Sequence, residues 1–252
     1  MHILRGLVDV VGFLTAIPVK LNKHSLENAA EHIYLFPLVG GFIGLSGGAI
    51  AYFVGRVLPH IVAATISLLV VFALTRFYHI DGLLDFGDGL LTHGSRIEKL
   101  RAMKDSRVGA GGLTLSLMII LLTIWTIASL PQQLIVQCFT VSEVLAKFSM
   151  VVLATVGKSA KEGINSYFVT IMKGRCGYVR LLLALAISVA IIFPLVGFKV
   201  ICAVATAILV SFLMLAISNI NFGGITGDIF GATNEVSRTT SLLVLLVVTS
   251  NW

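Results

Sequence analysis

The chain has 252 residues, 57% of them hydrophobic and only 12% charged, with a mean hydropathy of +1.00, whereas soluble domains carry about 25% charged residues. That balance excludes a water-soluble domain, and the net charge of +6 does not indicate nucleic acid, because the basic residues sit between apolar runs and form no stripe. Cys138, Cys176 and Cys202 show neither paired nor metal-ligand spacing, which excludes a zinc site or a disulfide framework.

Residues 1–20 carry Arg5 and Asp9 among apolar residues and lack a small-residue cleavage site. They read as an interfacial amphipathic helix and not as a cleavable signal. Apolar runs of about 20 residues, the length that crosses a hydrocarbon core of ~30 Å, follow at 37–58, 60–79, 112–130, 133–156, 180–197, 200–218 and 236–252. The fold class is therefore all-α: one polytopic membrane domain over 1–252 with seven transmembrane helices. Alternate connections hold fourteen Lys and Arg residues, Arg238 among them, against two, Arg56 and Lys199. The positive-inside rule then places the N-terminus in the cytoplasm and the C-terminus outside the cell membrane. The acids sort the same way, since Asp81, Asp85, Asp88, Asp105, Glu162, Asp228 and Glu235 all fall in or beside the cytoplasmic connections.

The segment HIDGLLDFGDGL, 79–90, closes the second span. Its Asp81, Asp85 and Asp88 are spaced i, i+4, i+7, which stacks three carboxylates on one helical face. Such a stack is self-repelling and costly near lipid. Mg²⁺ removes both costs, since it takes one or two carboxylates together with water and phosphate oxygens.

RAMKDSRVGAGG, 101–112, leads into the third span. Lys104 and Arg107 offer donors to phosphate oxygens, and Gly109 lets a backbone N–H approach the same anion at a helix start. NFGGITGDIFGATNE, 221–235, has no P-loop lysine; its contribution is Asp228, as a further metal ligand or base. Glu143 and Lys147, i and i+4 within the fourth span, form a structural pair that neutralises itself inside the bilayer.

Five stretches together resemble the cobalamin synthase family, the adenosylcobinamide-GDP ribazoletransferases: FLTAIPV at 13–19, YLFPLVGGFIG at 34–44, HIDGLLDFGDGL at 79–90, MKDSRVGAGG at 103–112 and GGITGDIFGATNE at 223–235. They run in the family's order and span nearly the whole chain. The resemblance implies a Mg²⁺-dependent membrane enzyme whose substrates are adenosylcobinamide-GDP and α-ribazole or its phosphate, with GMP released. It assigns Asp81, Asp85 and Asp88 to metal and pyrophosphate, Lys104, Arg107 and Gly109 to substrate phosphate, and Asp228 to metal or general base. The chain departs from the family at Ala16 and in SNINF, 218–222, where members tend to be basic.

A phosphotransferase of the CDP-alcohol type is the alternative, although its signature has four aspartates on two adjacent helices where the sequence shows three on one face. An ion-coupled transporter is the third reading, less favoured because no internal repeat is evident and the acids lie near one surface. Partners on this reading are the two small-molecule substrates and the lipid bilayer, with no nucleic acid; a homo-oligomer of the chain stays open.

Overall fold

The computed structural model describes residues 2–20 and 22–249. Among the described residues every regular element is helical, with one isolated parallel bridge, Ser159 to Ile225. Helix α1 (His2–Leu14) turns Val10 and Leu14 inward and leaves Ile3 and Leu4 exposed, as an interfacial helix does. The short α2 (Ser25–Glu31) packs beside it and leads into α3 (Phe36–Val54).

Helix α8 (Ile135–Val156) is the axis of the bundle, and nearly all of its side chains are buried. Contact with α3 is unusually close. A Cβ at Gly40 would lie 2.5 Å from the carbonyl oxygen of Glu143, one at Gly44 2.6 Å from Thr140 Cα, and one at Gly48 2.8 Å from Val136 Cα. A stripe of glycines at every fourth position is how helices approach backbone to backbone in lipid, where packing must replace the hydrophobic effect. The helices α10 (Gly177–Val196), α11 (Val200–Asn221) and α12 (Gly227–Thr249) pack on the other sides of α8. Large apolar side chains such as Leu117 and Trp125 of α7 (Ala110–Ser129), Leu182 of α10 and Phe212 of α11 face outward, as lipid contact requires.

Among the described residues, Ile33–Val54, Ala110–Ser129, Gln132–Val156 and Gly177–Asn221 are long and apolar enough to cross a membrane, and the bent pair His60–Leu74 and Tyr78–Leu91 adds a fifth if it is one span. The chain is thus an all-α, multi-pass membrane protein. The count of seven from sequence differs for two reasons. Gly177–Asn221 is one 45-residue helical stretch that breaks at Gly197, φ +60°, and holds both 180–197 and 200–218. The run assigned to 236–252 begins instead at Gly227, so that α12 carries Asp228, Glu235 and Arg238 within its length; positions 250–252 lie outside the described residues.

Two further corrections concern the second span and the last connection. The run 60–79 is not one helix: α4 (His60–Leu74) ends at Leu74 and the chain turns by 93° into α5 (Tyr78–Leu91). The turn is made by Arg76 and Phe77, both left-handed at φ +54° and +59°, a conformation that costs a side-chain-bearing residue about 1–2 kcal/mol. A hydrogen bond from Phe77 N–H to the Phe72 carbonyl, 2.7 Å, closes it. Glu235 and Arg238, read as connection residues, are buried in α12. There Arg238 binds Glu143 and Glu235, while Lys147 donates to Glu143 at 2.9 Å and to Asn234 at 2.8 Å. The pair Glu143–Lys147 is therefore half of a two-cation, two-carboxylate network, which explains how four ionisable groups stay inside the bundle.

Candidate active site

Helix α5 lies against α12 and α7, and glycines set both approaches. A Cβ at Gly82 would meet the carbonyl oxygen of Asp228 at 2.7 Å, and one at Gly87 would meet Gly112 Cα at 2.7 Å. The first crossing brings the α5 aspartates to Asp228 in the first turn of α12. Asp81 is exposed, Asp85, Asp88 and Asp228 half-buried, and the charges of Asp228, Asp81 and Asp88 all act on Asp85. The structure thus joins a fourth aspartate, from a second helix, to the three that the sequence stacks on one face.

Asp88 has a visible structural task. Its Oδ2 accepts the N–H of Gly109 at 2.8 Å and its Oδ1 the N–H of Gly112 at 2.7 Å, so it caps the N-terminus of α7 with a full negative charge at the positive end of the helix. The Gly109 N–H, read from sequence as a phosphate donor, points at this carboxylate. Arg107 is bound to its own loop: Asp105 accepts from its backbone N–H at 3.0 Å, from Nε at 3.0 Å and from Nη2 at 2.8 Å. These bonds hold the Asp105 carboxyl down to about 2.

Lys104 instead meets a residue that sequence reasoning missed. The loop after α8 is tied to the loop before α12 by hydrogen bonds from Ile225 N–H to the Lys158 carbonyl, 2.8 Å, and from Ala160 N–H to the Ile225 carbonyl, 2.9 Å. That tether fixes the loop carrying Lys161, whose charge acts on Asp85. Partial burial and the adjacent Lys104 ammonium depress the Lys161 pKa, while Asp228 and Asp85 act in the opposite sense. Two ammonium groups from different loops converge beside the carboxylates, as a shared anion between them would require. Lys161 was one of several loop cations in the sequence, and only the tether singles it out.

Below the acids lies a cavity of about 490 Å³ whose rim includes Asp81, Asp228 and Arg76 and whose wall is largely apolar. Four of the five stretches on which the family resemblance rests supply its lining: Phe13 and Leu14 from the first, Phe36 from the second, His79 and Gly82 from the third, and Gly227, Phe230 and Gly231 from the last. The remaining stretch supplies Lys104 and the α7 amides bound by Asp88.

Aspartate oxygens are the hard donors that Mg²⁺ prefers, and the ion needs only one or two of them. The donor chemistry of Asp81, Asp85 and Asp228 fits it. Among the described residues no three His, Cys, Asp or Glu side chains are gathered closely enough to ligate one ion, so the remaining positions would go to water and substrate oxygens.

The family model described as Cobalamin-5-phosphate synthase matches residues 6–246. Curated relatives named adenosylcobinamide-GDP ribazoletransferase include those of Methanocella arvoryzae, 36% identical over 97% of this chain and 96% of that one, Methanosarcina barkeri, 31% identical over 94% and 90%, and Pyrococcus abyssi, 32% identical over 94% and 96%. No solved structure matches. With a match that runs through every stretch bordering the acids and the cavity beneath them, the chain belongs to the cobalamin-5-phosphate synthase family.

Proposed function

We propose that the chain joins the nucleotide loop of cobalamin: it transfers the adenosylcobinamide phosphate moiety from adenosylcobinamide-GDP to α-ribazole or α-ribazole 5′-phosphate, giving adenosylcobalamin or its 5′-phosphate and GMP. The observation that carries this reading is that Asp81 and Asp228, from stretches far apart in the chain, border one cavity with Asp85 and the Lys104–Lys161 pair beside them. The acceptor's ribose hydroxyl attacks the cobinamide-linked phosphorus. The new P–O bond forms, the P–O bond to GMP breaks with its electron pair leaving on GMP, and the hydroxyl proton passes to a carboxylate of the cluster.

Two of Asp81, Asp85 and Asp228, with water and substrate oxygens completing the shell, would hold Mg²⁺, which when bound neutralises pyrophosphate charge and polarises the phosphoryl oxygens. Lys104 and Lys161 clamp the donor phosphates; Arg107 joins them once released from Asp105. The carboxylate of Asp85 or Asp228 that is not bound to the metal takes the proton. The face carrying these groups is cytoplasmic, in the cell membrane, because the basic connections gather there.

Four aspartates on two adjacent helices also suit a CDP-alcohol-type phosphotransferase; the family match over 6–246 favours the corrinoid substrate. The test is release of GMP from adenosylcobinamide-GDP by the purified chain in detergent with Mg²⁺. Release that depends on added α-ribazole or its phosphate supports the reading, and acceptor-independent release or none contradicts it.

A further inference from the structure

The cavity beneath the acids has a wall that the phosphate chemistry does not use. Four phenylalanines from four helices meet there: Phe13 of α1, Phe36 of α3, Phe168 of α9 (Ile164–Lys173) and Phe230 of α12. Phe168 is the centre, with ring centroids 4.8 Å from Phe13, 5.6 Å from Phe36 and 6.3 Å from Phe230. Helices brought together only for packing have no need to converge their aromatic rings on an open space; a flat apolar ligand does.

Three polar residues of the lining are buried, Thr75, His79 and Asn165, and two of them are engaged. Thr75 Oγ1 donates to the Val71 carbonyl at 2.9 Å, and Asn165 Nδ2 donates to Ser159 Oγ at 2.7 Å and to the Ile225 carbonyl at 2.9 Å. The exception is His79. His79 lines the cavity, is only 7% exposed, and its Nδ1 is buried with no partner among the described residues. An orphaned buried nitrogen costs free energy unless something bonds to the ring when the site is filled.

We infer that this cavity seats the base of the acceptor nucleoside, with the aromatic quartet against its faces and His79 as the residue that reads its ring nitrogen. The inference rests on the transfer reading above and deepens it by dividing the site into an acceptor chamber inside and a donor face at the lysines. The ribazole base, a dimethylated benzimidazole, is apolar except for one ring nitrogen besides the glycosidic one, which matches a buried wall whose one unpartnered polar atom is His79 Nδ1. Guanine, with several donors and acceptors on its edge, would leave most of them unpaired here. A lipid chain would leave the imidazole unpaired. The volume suits a nucleoside and is too small for a corrinoid, and a base seated at the phenylalanines leaves its ribose at the rim, where Asp81 and Asp228 stand.

The test is equilibrium binding of radiolabelled α-ribazole to the full chain in detergent, without donor, so that turnover plays no part. Free dimethylbenzimidazole is expected to compete and methyl riboside not to. Phe168→Ala is expected to weaken ribazole by about tenfold or more, with Phe168→Tyr close to wild type as the control for folding. Wild type is expected to prefer α-ribazole over the riboside of dimethylindole, which lacks the ring nitrogen, and His79→Leu to lose that preference, a readout that a general packing defect would not move. Failure of wild type to bind ribazole, failure of the free base to compete, Phe168→Ala affinity within about twofold of wild type, or an unchanged preference in His79→Leu would each overturn the inference. Intact ribazole binding with no acceptor-dependent GMP release would overturn the transfer reading alone.

Discussion

Gly82 and Asp228 touch backbone to backbone: a Cβ on the glycine would stand 2.7 Å from the aspartate's carbonyl oxygen and 3.1 Å from its Cα. The site exists because α5 and α12 come this close. Gly82→Ala must push the two helices apart, and overpacking of this kind costs about 1–3 kcal/mol. We expect a lower melting temperature and a loss of turnover larger than the loss of folded protein, compared by thermal unfolding and by GMP release per folded molecule.

Asp85 feels Asp228, Asp81 and Asp88 at once. Asp85→Asn removes the charge and keeps the shape, so the variant should fold as wild type and lose activity by about a hundredfold or more. Substantial retained turnover would remove Asp85 from the essential set.

Asp88 and Asp85 should separate by phenotype. Because both oxygens of Asp88 hold α7 amides, Asp88→Ala is expected to cost about 0.5–2 kcal/mol as the loss of a helix cap. Asp85→Asn and Asp228→Asn should instead raise the Mg²⁺ concentration needed for half-maximal activity. A titration of Mg²⁺ against turnover for all three variants distinguishes the two tasks, and chelation of the metal should stop the wild type reversibly.

On the proposed reading Lys104 and Lys161 act as one clamp on the donor phosphates. Each single change to Ala is expected to raise the donor KM by about tenfold, and the double variant to lose much less than the product of the two, since either change already breaks the shared contact. Fully multiplicative losses would mean that the lysines act independently.

Glu143→Gln leaves Arg238 and Lys147 under-compensated in the bundle core. Breaking a buried ion network in this way costs about 3–5 kcal/mol, so the variant is expected to unfold at markedly lower temperature while any folded fraction keeps the wild-type KM values.

Much of this arrangement was legible in the amino-acid order, and the failures share a cause. The face formed by Asp81, Asp85 and Asp88 follows from helical spacing, and the membrane spans follow from hydropathy, both of which are local properties. The turn at Thr75, Arg76 and Phe77 was not legible because it uses neither Gly nor Pro and hydropathy runs through it. Glu235 and Arg238 looked like connection residues because the carboxylate that completes their pairing, Glu143, belongs to another helix. Lys161 stands out only when Ile225 pairs with the loop that carries it, and the unpartnered Nδ1 of His79 is visible only in the folded chain.

The most direct measurement follows a phosphorus label. Adenosylcobinamide-GDP labelled in its cobinamide-linked phosphate is incubated with wild-type protein, Mg²⁺ and α-ribazole. The account predicts that the label ends in the joined corrinoid product while unlabelled GMP appears in equal amount, and that Asp85→Asn yields neither. Label in GMP or in free phosphate, or no product from folded wild type, would contradict it.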